Sequence, residues 1–267
     1  MLNKAQERYL EIIEILKKNP IVTVAELAEH LSVSAETVRK DLNYLAQQKE
    51  IVRIHGGAAL AAEGEQTPTF SSRKTVRQRE KKMLAQNALT LIEEGDSLII
   101  ESSTTMVELV KLLVEQPELL KTLVIVTNSF YIASLLEMGK LCARMFFLGG
   151  WVNAEEQSAH GQLTSSQLKN FHVDKCLLSG AALGQNLQLS AYYEDDMLFQ
   201  KQAMKSASCK ILLLEEAKYR SSAILSVAPV KDFDYLVTNV KFEQDGIDKL
   251  SSSRVRLLYV DTEENKE

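Results

Sequence analysis

The sequence has few cysteines and no metal-ligand pattern, which argues against a disulfide-stabilised protein and against a protein with a cysteine or histidine metal site. Its three cysteines lie far apart, and an odd count without close spacing argues against a disulfide framework or a CxxC metal site. Its four histidines show no metal-ligand spacing, so we expect no metal and no cofactor. These residues are Cys142, Cys176 and Cys209, and His30, His55, His160 and His172.

Long apolar segments are also missing. No apolar run approaches the roughly 18 residues that a membrane-spanning helix needs. The N-terminal segment carries charges every few residues and has no apolar core of a secretory signal. We therefore expect a cytoplasmic protein with reduced cysteines and no membrane partner. Its 267 residues, 45% hydrophobic and 25% charged, suffice for one large or two ordinary domains.

The net charge of −5 is unevenly distributed along the chain. In residues 1–60, eight lysines and arginines balance eight aspartates and glutamates. Residues 61–82 have an excess of basic residues, and residues 83–267 have an excess of acidic residues. Only the front of the chain therefore offers a surface for nucleic-acid phosphates.

The first 60 residues have the pattern of a winged helix-turn-helix. Residues 5–18 carry one apolar stripe and end before Asn19-Pro20. A capping box from Thr23 to Glu26 starts a second helix, and Ser34 is a good N-cap for a third. Residues 51–54 read as a strand that leads into a glycine-rich loop. The alternative is a small helical domain whose polar face is merely solvated.

In a winged helix-turn-helix the third helix enters the major groove of DNA. A helical wheel places several polar side chains on its outward face, where they could reach bases or phosphates. In the wing, basic residues could hold a phosphate, and glycines let backbone N–H groups approach closely. The candidate DNA-binding residues are Ser34, Glu36, Thr37, Arg39, Lys40 and Asn43, with Arg53, His55, Gly56 and Gly57 in the wing.

The rest of the chain predicts a linker and then an α/β domain. We place the winged domain at residues 1–58, the linker at 59–76 and the α/β domain at 77–267. The basic segment 73–82 is a solvated helix start or a source of cations for an anion site. Strands alternate with helices from about residue 77, which is typical of a mostly parallel sheet. The predicted strands are 97–100, 123–126, 144–148, 176–179, 210–214, 235–237 and 255–259.

Such sheets bind ligands at the carboxyl ends of their strands, so the segments after the strands are the candidate ligand site. Four hydroxyls follow the first strand at a helix N-terminus, where backbone N–H groups attract anions. A Thr-Asn-Ser segment follows the second strand, two glycines follow the third, and a lysine follows a later one. The candidates are Glu101, Ser102, Ser103, Thr104, Thr105, Thr127, Asn128, Gly149, Gly150 and Lys218.

The front of the chain resembles the DNA-binding domain of the DeoR family of bacterial transcriptional regulators. The family pattern has Glu-Arg in the first helix, a V-S-x-x-T-[IV]-R-[RK]-D-L recognition segment and R-x-H-G-G. This sequence has Glu7-Arg8, then VSAETVRKDL at residues 33–42, then Arg53 to Gly57. The resemblance implies that operator DNA is contacted by Ser34, Thr37, Arg39, Lys40 and Arg53.

Residues 70–260 resemble the effector domain of the same family, which has the fold of ribose-phosphate isomerases and glucosamine-phosphate deaminases. The family segments VTNS and GG are kept at residues 126–129 and 149–150, and the family lysine matches Lys81. The pattern D-[SG]-G-[ST]-T becomes Glu101 to Thr105, and D-S-S-K keeps only Lys218. These departures leave open an unusual ligand, or weakened or lost ligand binding.

The resemblance implies a repressor of a carbohydrate uptake or catabolism operon. A phosphorylated sugar or sugar alcohol would release it from double-stranded operator DNA by favouring a state that does not bind DNA. We expect a homo-oligomer, a dimer or tetramer, because one small winged module buries too little surface for tight binding. The competing hypothesis is a sugar-phosphate isomerase or deaminase with Glu101 or Glu215 as general base. That hypothesis leaves the front of the chain unexplained, so we do not expect an enzyme.

Overall fold

A computed structural model describes residues 4–18, 21–47, 51–54, 57–60 and 70–262. The chain divides into two compact units, which we call the N-terminal unit (Met1–Pro68) and the C-terminal unit (Thr69–Glu267). Two predicted wing residues, His55 and Gly56, lie outside the described residues. None of the helices in the described ranges has the length and apolar character needed to cross a bilayer.

The N-terminal unit is a helix-turn-helix with a small sheet. Thr23 and Glu26 form the predicted capping box at the start of its second helix. The apolar stripes of the helices pack together, and Ile12, Leu27 and Leu42 are fully buried. The elements are α1 (Lys4–Lys18), β1 (Ile21–Thr23), α2 (Val24–His30), α3 (Ala35–Gln47), β2 (Ile51–Ile54) and β3 (Gly57–Leu60).

The wing is an antiparallel sheet in the order β1-β3-β2. Strands β2 and β3 pair from Ile51 opposite Leu60 to Ile54 opposite Gly57. The predicted strand at residues 51–54 is therefore confirmed, and so is the winged helix-turn-helix architecture. Because β3 runs to Leu60 and a helix begins at Phe70, both ends of the predicted linker, 59–76, overlap regular structure.

The C-terminal unit alternates strands and helices along most of its length, as the sequence predicts. Short 3₁₀ helices connect several of these elements. The bounds are α4 (Phe70–Thr75), α5 (Gln78–Leu89), β4 (Ser97–Ile100), α6 (Thr104–Val114), α7 (Pro117–Leu120), β5 (Val124–Thr127), α8 (Phe130–Leu135), β6 (Arg144–Phe147), β7 (Trp151–Asn153), β8 (Ser158–His160), α9 (Gln162–Gln167), β9 (Val173–Ser179), β10 (Ala182–Leu183), β11 (Gln188–Ala191), α10 (Glu194–Lys205), β12 (Ala207–Leu214), β13 (Leu225–Pro229), β14 (Tyr235–Thr238), α11 (Gln244–Ser251) and β15 (Arg256–Tyr259).

Seven of these strands form one parallel sheet in the order β15-β14-β12-β9-β4-β5-β6. Because side chains alternate along a strand, each face of the sheet has its own core. Leu98 and Ile100 pack on one face with α5 and α6, and Ile99 packs on the other face with Phe199 of α10. From β4 the chain builds outward to β6 and then returns to β9 on the opposite side. The carboxyl ends of β4 and β9 therefore flank the topological switch point, where such sheets bind ligands.

The sequence did not predict the smaller sheets. Strands β7 and β8 form a hairpin with Trp151 opposite His160. Strands β10, β11 and β13 form an antiparallel sheet. These strands have five residues or fewer, and their mixed polar and small side chains lack the apolar runs of the main sheet.

Candidate functional site

The polar face of α3 is the candidate DNA surface. Glu36, Arg39, Lys40 and Asn43 are exposed along this helix. Lys40 Nζ lies 3.0 Å from Glu36 Oε1, and about three quarters of each side chain remains in solvent. The cation of Lys40 is therefore held at the surface by an exposed partner that water and salt can replace.

Two of the predicted DNA-contacting residues also shape the start of α3. The backbone N–H of Thr37 donates to Ser34 Oγ at 3.1 Å, and the two hydroxyls are 2.9 Å apart. This is the helix cap that the sequence predicts for Ser34. Ser34 and Thr37 therefore lie side by side at the N-terminal end of α3, the part of a recognition helix that meets base edges.

A buried ion pair that the sequence analysis missed connects α1 to α3. Arg8 Nε and Nη2 donate to the two carboxylate oxygens of Asp41 at 2.7 and 2.9 Å. Asp41 is only 4% exposed, and its hydrogen bond raises the pKa of Arg8. The sequence does contain a clue to this pair, because Asp41 is a charged residue on the apolar stripe that runs from Val38 to Leu45. The pair fixes how α3 is rotated against α1 and so which side chains face outward.

In the wing, Arg53 lies in β2 one residue before the hairpin end, and Gly57 begins β3. Arg53 therefore lies in the strand that follows α3 in the chain, and its backbone pairs with β3.

In the C-terminal unit, a continuous chain of hydrogen bonds and one ion pair runs across the carboxyl ends of β4, β9 and β12. The chain begins at a side chain of α10, passes the ends of β4 and β9, and continues to the segment after β12 and the start of α6. We call these residues the carboxyl-edge cluster: Gln200, Glu101, Ser179, Lys218, Glu215 and Thr105. Three of its members, Glu101, Thr105 and Lys218, were predicted from the sequence.

Glu101 lies at the switch point and is almost fully buried. The backbone N–H of Ser179 donates to its Oε1 at 2.7 Å, and Gln200 Nε2 donates to its Oε2 at 3.0 Å. Burial nevertheless raises the pKa of Glu101 to about 8, because these two hydrogen bonds only partly offset the loss of water. Near neutral pH this carboxyl is therefore mostly protonated and does not add negative charge to the site.

Lys218 is the cation of the carboxyl-edge cluster. Its Nζ donates to Ser179 Oγ at 3.3 Å and lies 3.6 Å from Glu215 Oε1, which also accepts a hydrogen bond from Thr105. Burial lowers the pKa of Lys218, yet 30% of its side chain is exposed. The ammonium group is therefore poorly hydrated yet still partly accessible, which leaves it available to an anion.

The N-terminus of α6 adds a second anion-binding feature beside the carboxyl-edge cluster. Ser103 caps the helix by accepting the N–H of Met106 at 3.2 Å. Thr104 and Thr105 form the first turn and are both buried. The helix dipole and backbone N–H groups of this turn favour negative charge at this place.

Other predicted site residues hold the framework together. Asn128 accepts the N–H of Ser102 at 3.1 Å and donates to the carbonyl of Ala159 at 2.9 Å, and so it connects the ends of β4 and β8. Thr127 is fully buried, and its Oγ1 accepts the N–H of Ser129 at 3.1 Å. The amide of Asn128 and the hydroxyl of Thr127 are thus used within the protein.

The two glycines after β6 differ. A Cβ at Gly150 would collide with Thr164 Oγ1 and the carbonyl of His160, so this glycine is needed for packing against its own chain. A Cβ at Gly149 would meet no atom of the described residues within 4 Å. The carbonyl of Gly149 accepts hydrogen bonds from Thr164 and Gln167, at 3.0 and 2.7 Å. Gly150 is therefore required for packing within the protein, whereas the space beside Gly149 is open.

Lys81 is buried beneath α4. Its Nζ donates to the carbonyls of Arg73 and Val76 at 2.5 and 2.6 Å, and burial lowers its pKa. Arg73 itself is ion-paired with Glu156 in the loop between β7 and β8. Within the basic segment 73–82, Lys81 and Arg73 therefore bond to groups of the C-terminal unit itself, and a role of this segment at an anion site stays a prediction.

Helix α10 contributes acidic and amide side chains that the sequence analysis did not identify. Asp196 Oδ1 lies 3.8 Å from Nδ1 of His160, whose Nε2 is 2.7 Å from Ser158 Oγ. Burial, with Glu156 acting in the same direction, raises the pKa of Asp196 to about 7, although 40% of its side chain is exposed. No periodic pattern marks α10, which explains why it was missed.

Two family models match the chain. The DeoR-like helix-turn-helix domain matches residues 8–63, and the DeoR C terminal sensor domain matches residues 76–240. Among solved structures, a D-ribose-5-phosphate isomerase in complex with phospho-erythronic acid is similar, with a TM-score of 0.39 and 20% identity over 53% of this chain and 54% of that chain.

The curated relatives are similar over nearly their full length. The HTH-type transcriptional repressor GlcR of Bacillus subtilis is 28% identical over 98% of this chain and 99% of its own. The glycerol-3-phosphate regulon repressor of Escherichia coli is 28% identical, over 88% and 91%. The lactose phosphotransferase system repressor of Streptococcus mutans is 31% identical, over 93% and 97%. The chain therefore belongs to the DeoR family of DNA-binding transcriptional regulators, with a helix-turn-helix domain followed by a sensor domain.

Proposed function

We propose that this regulator represses a carbohydrate uptake or catabolism operon and is released from its operator by a phosphorylated sugar or sugar alcohol. The names of the similar proteins support this proposal, because they are repressors of a glycerol-3-phosphate regulon and a lactose phosphotransferase system. In the N-terminal unit, the exposed face of α3 and the wing contact operator DNA. In the C-terminal unit, the carboxyl-edge cluster and the first turn of α6 hold the effector.

The observation that carries the effector proposal is the position of Lys218. Its poorly hydrated but accessible ammonium contacts Ser179 at the end of β9, one of the two strands that flank the switch point. The effector's phosphate lies between this cation and the first turn of α6, where Thr104 adds a hydroxyl and the turn adds backbone N–H groups. Because Glu101 is mostly protonated near neutral pH, it does not repel the phosphate.

Release from DNA is a shift between two states of the protein. The effector binds the state that does not bind operator DNA more tightly, so its binding removes the repressor. The operator-bound form is a dimer or tetramer, since one winged module buries too little surface for tight specific binding. Light scattering of the full chain with and without operator DNA measures this oligomeric state.

The effector site is tested with the full chain and a DNA fragment selected from a random pool for tight binding. Thermal shifts are measured with inorganic phosphate, glycerol 3-phosphate, ribose 5-phosphate and glucose 6-phosphate. At least one phosphorylated compound should stabilise the wild type by mass action and release the DNA. Lys218→Ala should lose both responses, whereas Lys121→Ala, which removes an exposed lysine, should keep them.

A second variant places a fixed negative charge where the phosphate would lie. Thr104→Glu should still bind the selected DNA but should no longer be released by the effector, because like charges repel. Thr104→Ser serves as its control and should respond as the wild type does. Normal release of Thr104→Glu from DNA would place the phosphate elsewhere, and complete loss of DNA binding would contradict independent roles for the two units.

A further inference from the structure

One buried polar atom beside the effector site has no partner. Gln200 of α10 is 4% exposed, and its Nε2 donates to Glu101 Oε2 at 3.0 Å and to the carbonyl of Ser179 at 3.1 Å. A carbonyl can only accept, so these contacts fix which end of the amide is nitrogen. The other end, Gln200 Oε1, is buried without a hydrogen-bond donor among the described residues.

A buried acceptor without a hydrogen bond lowers the stability of the folded protein. Leaving a buried carbonyl unpaired costs about 1–3 kcal/mol, and native proteins leave few such atoms. Gln200 Oε1 is closed off from bulk solvent, so its donor is a small group held beside α10, either a buried water or a ligand hydroxyl that displaces it. A hydroxyl is the donor that fits, because it is neutral and the neighbouring carboxyl of Glu101 is mostly protonated near neutral pH.

The position of Gln200 relates this acceptor to the phosphate. Ser179 lies between the two groups: its carbonyl accepts from Gln200, and its hydroxyl accepts from Lys218 at 3.3 Å. One residue, Ser179, therefore contacts both the cation that would hold the phosphate and the amide of Gln200, so a small ligand bound to Lys218 lies near Gln200. One turn before Gln200 on the same helix, the partly exposed side chain of Asp196 offers a second acceptor.

We propose that α10 forms the hydroxyl-recognising wall of the effector site and that Gln200 determines specificity by accepting a hydrogen bond from a ligand hydroxyl. This inference rests on the proposed effector function. It names the ligand class as a phosphorylated polyhydroxy compound that carries a free hydroxyl away from its phosphate ester. A deoxy analogue leaves Gln200 Oε1 unpaired, and sites built to bind a hydroxyl strongly reject ligands that lack it.

The test compares matched pairs of ligands by calorimetry on the full chain. Ribose 5-phosphate and glucose 6-phosphate are each paired with their 2-deoxy and 3-deoxy counterparts, and inorganic phosphate is the probe without carbon hydroxyls. For at least one pair, the wild type should bind the hydroxylated compound about tenfold or more tightly than its deoxy counterpart. In Gln200→Met, which keeps the side-chain volume, this ratio should approach one, because the hydroxylated compound loses its acceptor and the deoxy compound has none to lose.

The control is Gln202→Met, which removes an amide from the same helix that donates to Ser206 Oγ at 3.2 Å. It should keep the wild-type ratio. If Gln200→Met does not fold, Gln200→Asn, which retains the amide but withdraws it by one methylene, should show the same lost ratio. An unchanged ratio in the Gln200 variants, or an equal loss in Gln202→Met, would overturn the inference.

The outcomes separate this inference from the proposed function. If the wild type binds neither inorganic phosphate nor any sugar phosphate, the effector site itself is wrong and the inference falls with it. If sugar phosphates bind but no pair is distinguished, the effector site stands and only the role of Gln200 is overturned.

Discussion

On α3 of the N-terminal unit, Lys40 and Glu36 pair at 3.0 Å with about three quarters of each side chain in solvent. In the C-terminal unit, Lys218 and Glu215 pair at 3.6 Å with the carboxylate almost fully buried. An exposed pair is weakened by salt and exchanges partners readily, whereas a buried pair depends on which groups carry protons. The comparison indicates that DNA binding responds chiefly to ionic strength and the C-terminal unit chiefly to pH.

The largest expected effect comes from an ion pair of the N-terminal unit that is not exposed, the pair of Arg8 and Asp41. Arg8→Leu leaves the carboxylate of Asp41 buried and unpaired, which costs about 3–5 kcal/mol. We expect the small N-terminal unit to unfold and DNA affinity to fall more than a hundredfold in gel-shift titrations. Thermal shifts caused by effectors of the C-terminal unit should persist.

The controls for this variant separate geometry from charge. Arg8→Lys keeps the charge but loses the bidentate contact, so its DNA affinity should be intermediate. The double variant Arg8→Leu/Asp41→Leu removes both charges and should recover most of the lost stability. Wild-type DNA binding by Arg8→Leu would show that the pair does not position α3.

The contrast between the units also explains what the sequence could predict. Local signals fixed the N-terminal unit, because the caps at Thr23 and Ser34 and the apolar stripes lie within a few residues of one another. The parallel strands were predicted because they read as apolar runs, which is typical of strands buried on both faces. The edge strands β6 and β15 have such runs too, although most of their residues are exposed. At the candidate effector site, Glu101 directly follows one such run and Lys218 comes four residues after another, which is why the sequence places both at this edge of the sheet.

The remaining site residues could not be predicted, because they meet only through tertiary contacts. Gln200 is 99 residues from Glu101 in the chain and reaches it from a helix without an apolar stripe. Arg73 meets Glu156 across 83 residues, at a loop of a hairpin too short to be recognised. Gly150 has a role in packing that depends on Thr164, which no local pattern brings near it.

The second prediction concerns the pH dependence of the C-terminal unit. Burial raises the pKa of Glu101 from its ordinary 4.5 to about 8. The folded state therefore holds this proton more tightly, so the stability it contributes is complete below the ordinary pKa and is lost as pH rises through 8. Each pH unit in this window lowers the free energy of unfolding by up to about 1.4 kcal/mol.

Glu101→Gln removes this titration and should flatten the profile of unfolding free energy against pH, measured by urea denaturation. Its stability at low pH should fall, because an amide nitrogen cannot accept the hydrogen bond from Gln200. The slope is therefore the diagnostic quantity. Glu118→Gln, at an exposed position, should leave the slope unchanged. Parallel profiles for Glu101→Gln and wild type would contradict a raised pKa at Glu101.

The third prediction concerns the exposed cations of α3. Arg39→Ala and Lys40→Ala should each weaken DNA binding by about 1–3 kcal/mol if the side chain contacts a base. If it contacts a phosphate, the loss should be similar for all sequences, and the slope of log affinity against log salt should fall by about one unit. Titrations at several salt concentrations distinguish the two. Unchanged affinity and slope in both variants would move the DNA surface away from α3.

The smallest expected effect comes from the exposed partner of Lys40. Glu36→Gln removes a negative charge that lies near DNA phosphates and releases Lys40 from its pair. Because exposed pairs contribute little, helix stability should hardly change, and affinity for DNA of any sequence should rise about twofold at low salt. If Glu36 instead accepts a hydrogen bond from a cytosine, the variant should weaken binding to the selected operator and leave binding to other sequences unchanged. Comparing selected and scrambled DNA decides between these results, and an identical gain from Glu118→Gln in the C-terminal unit would assign the effect to net charge alone.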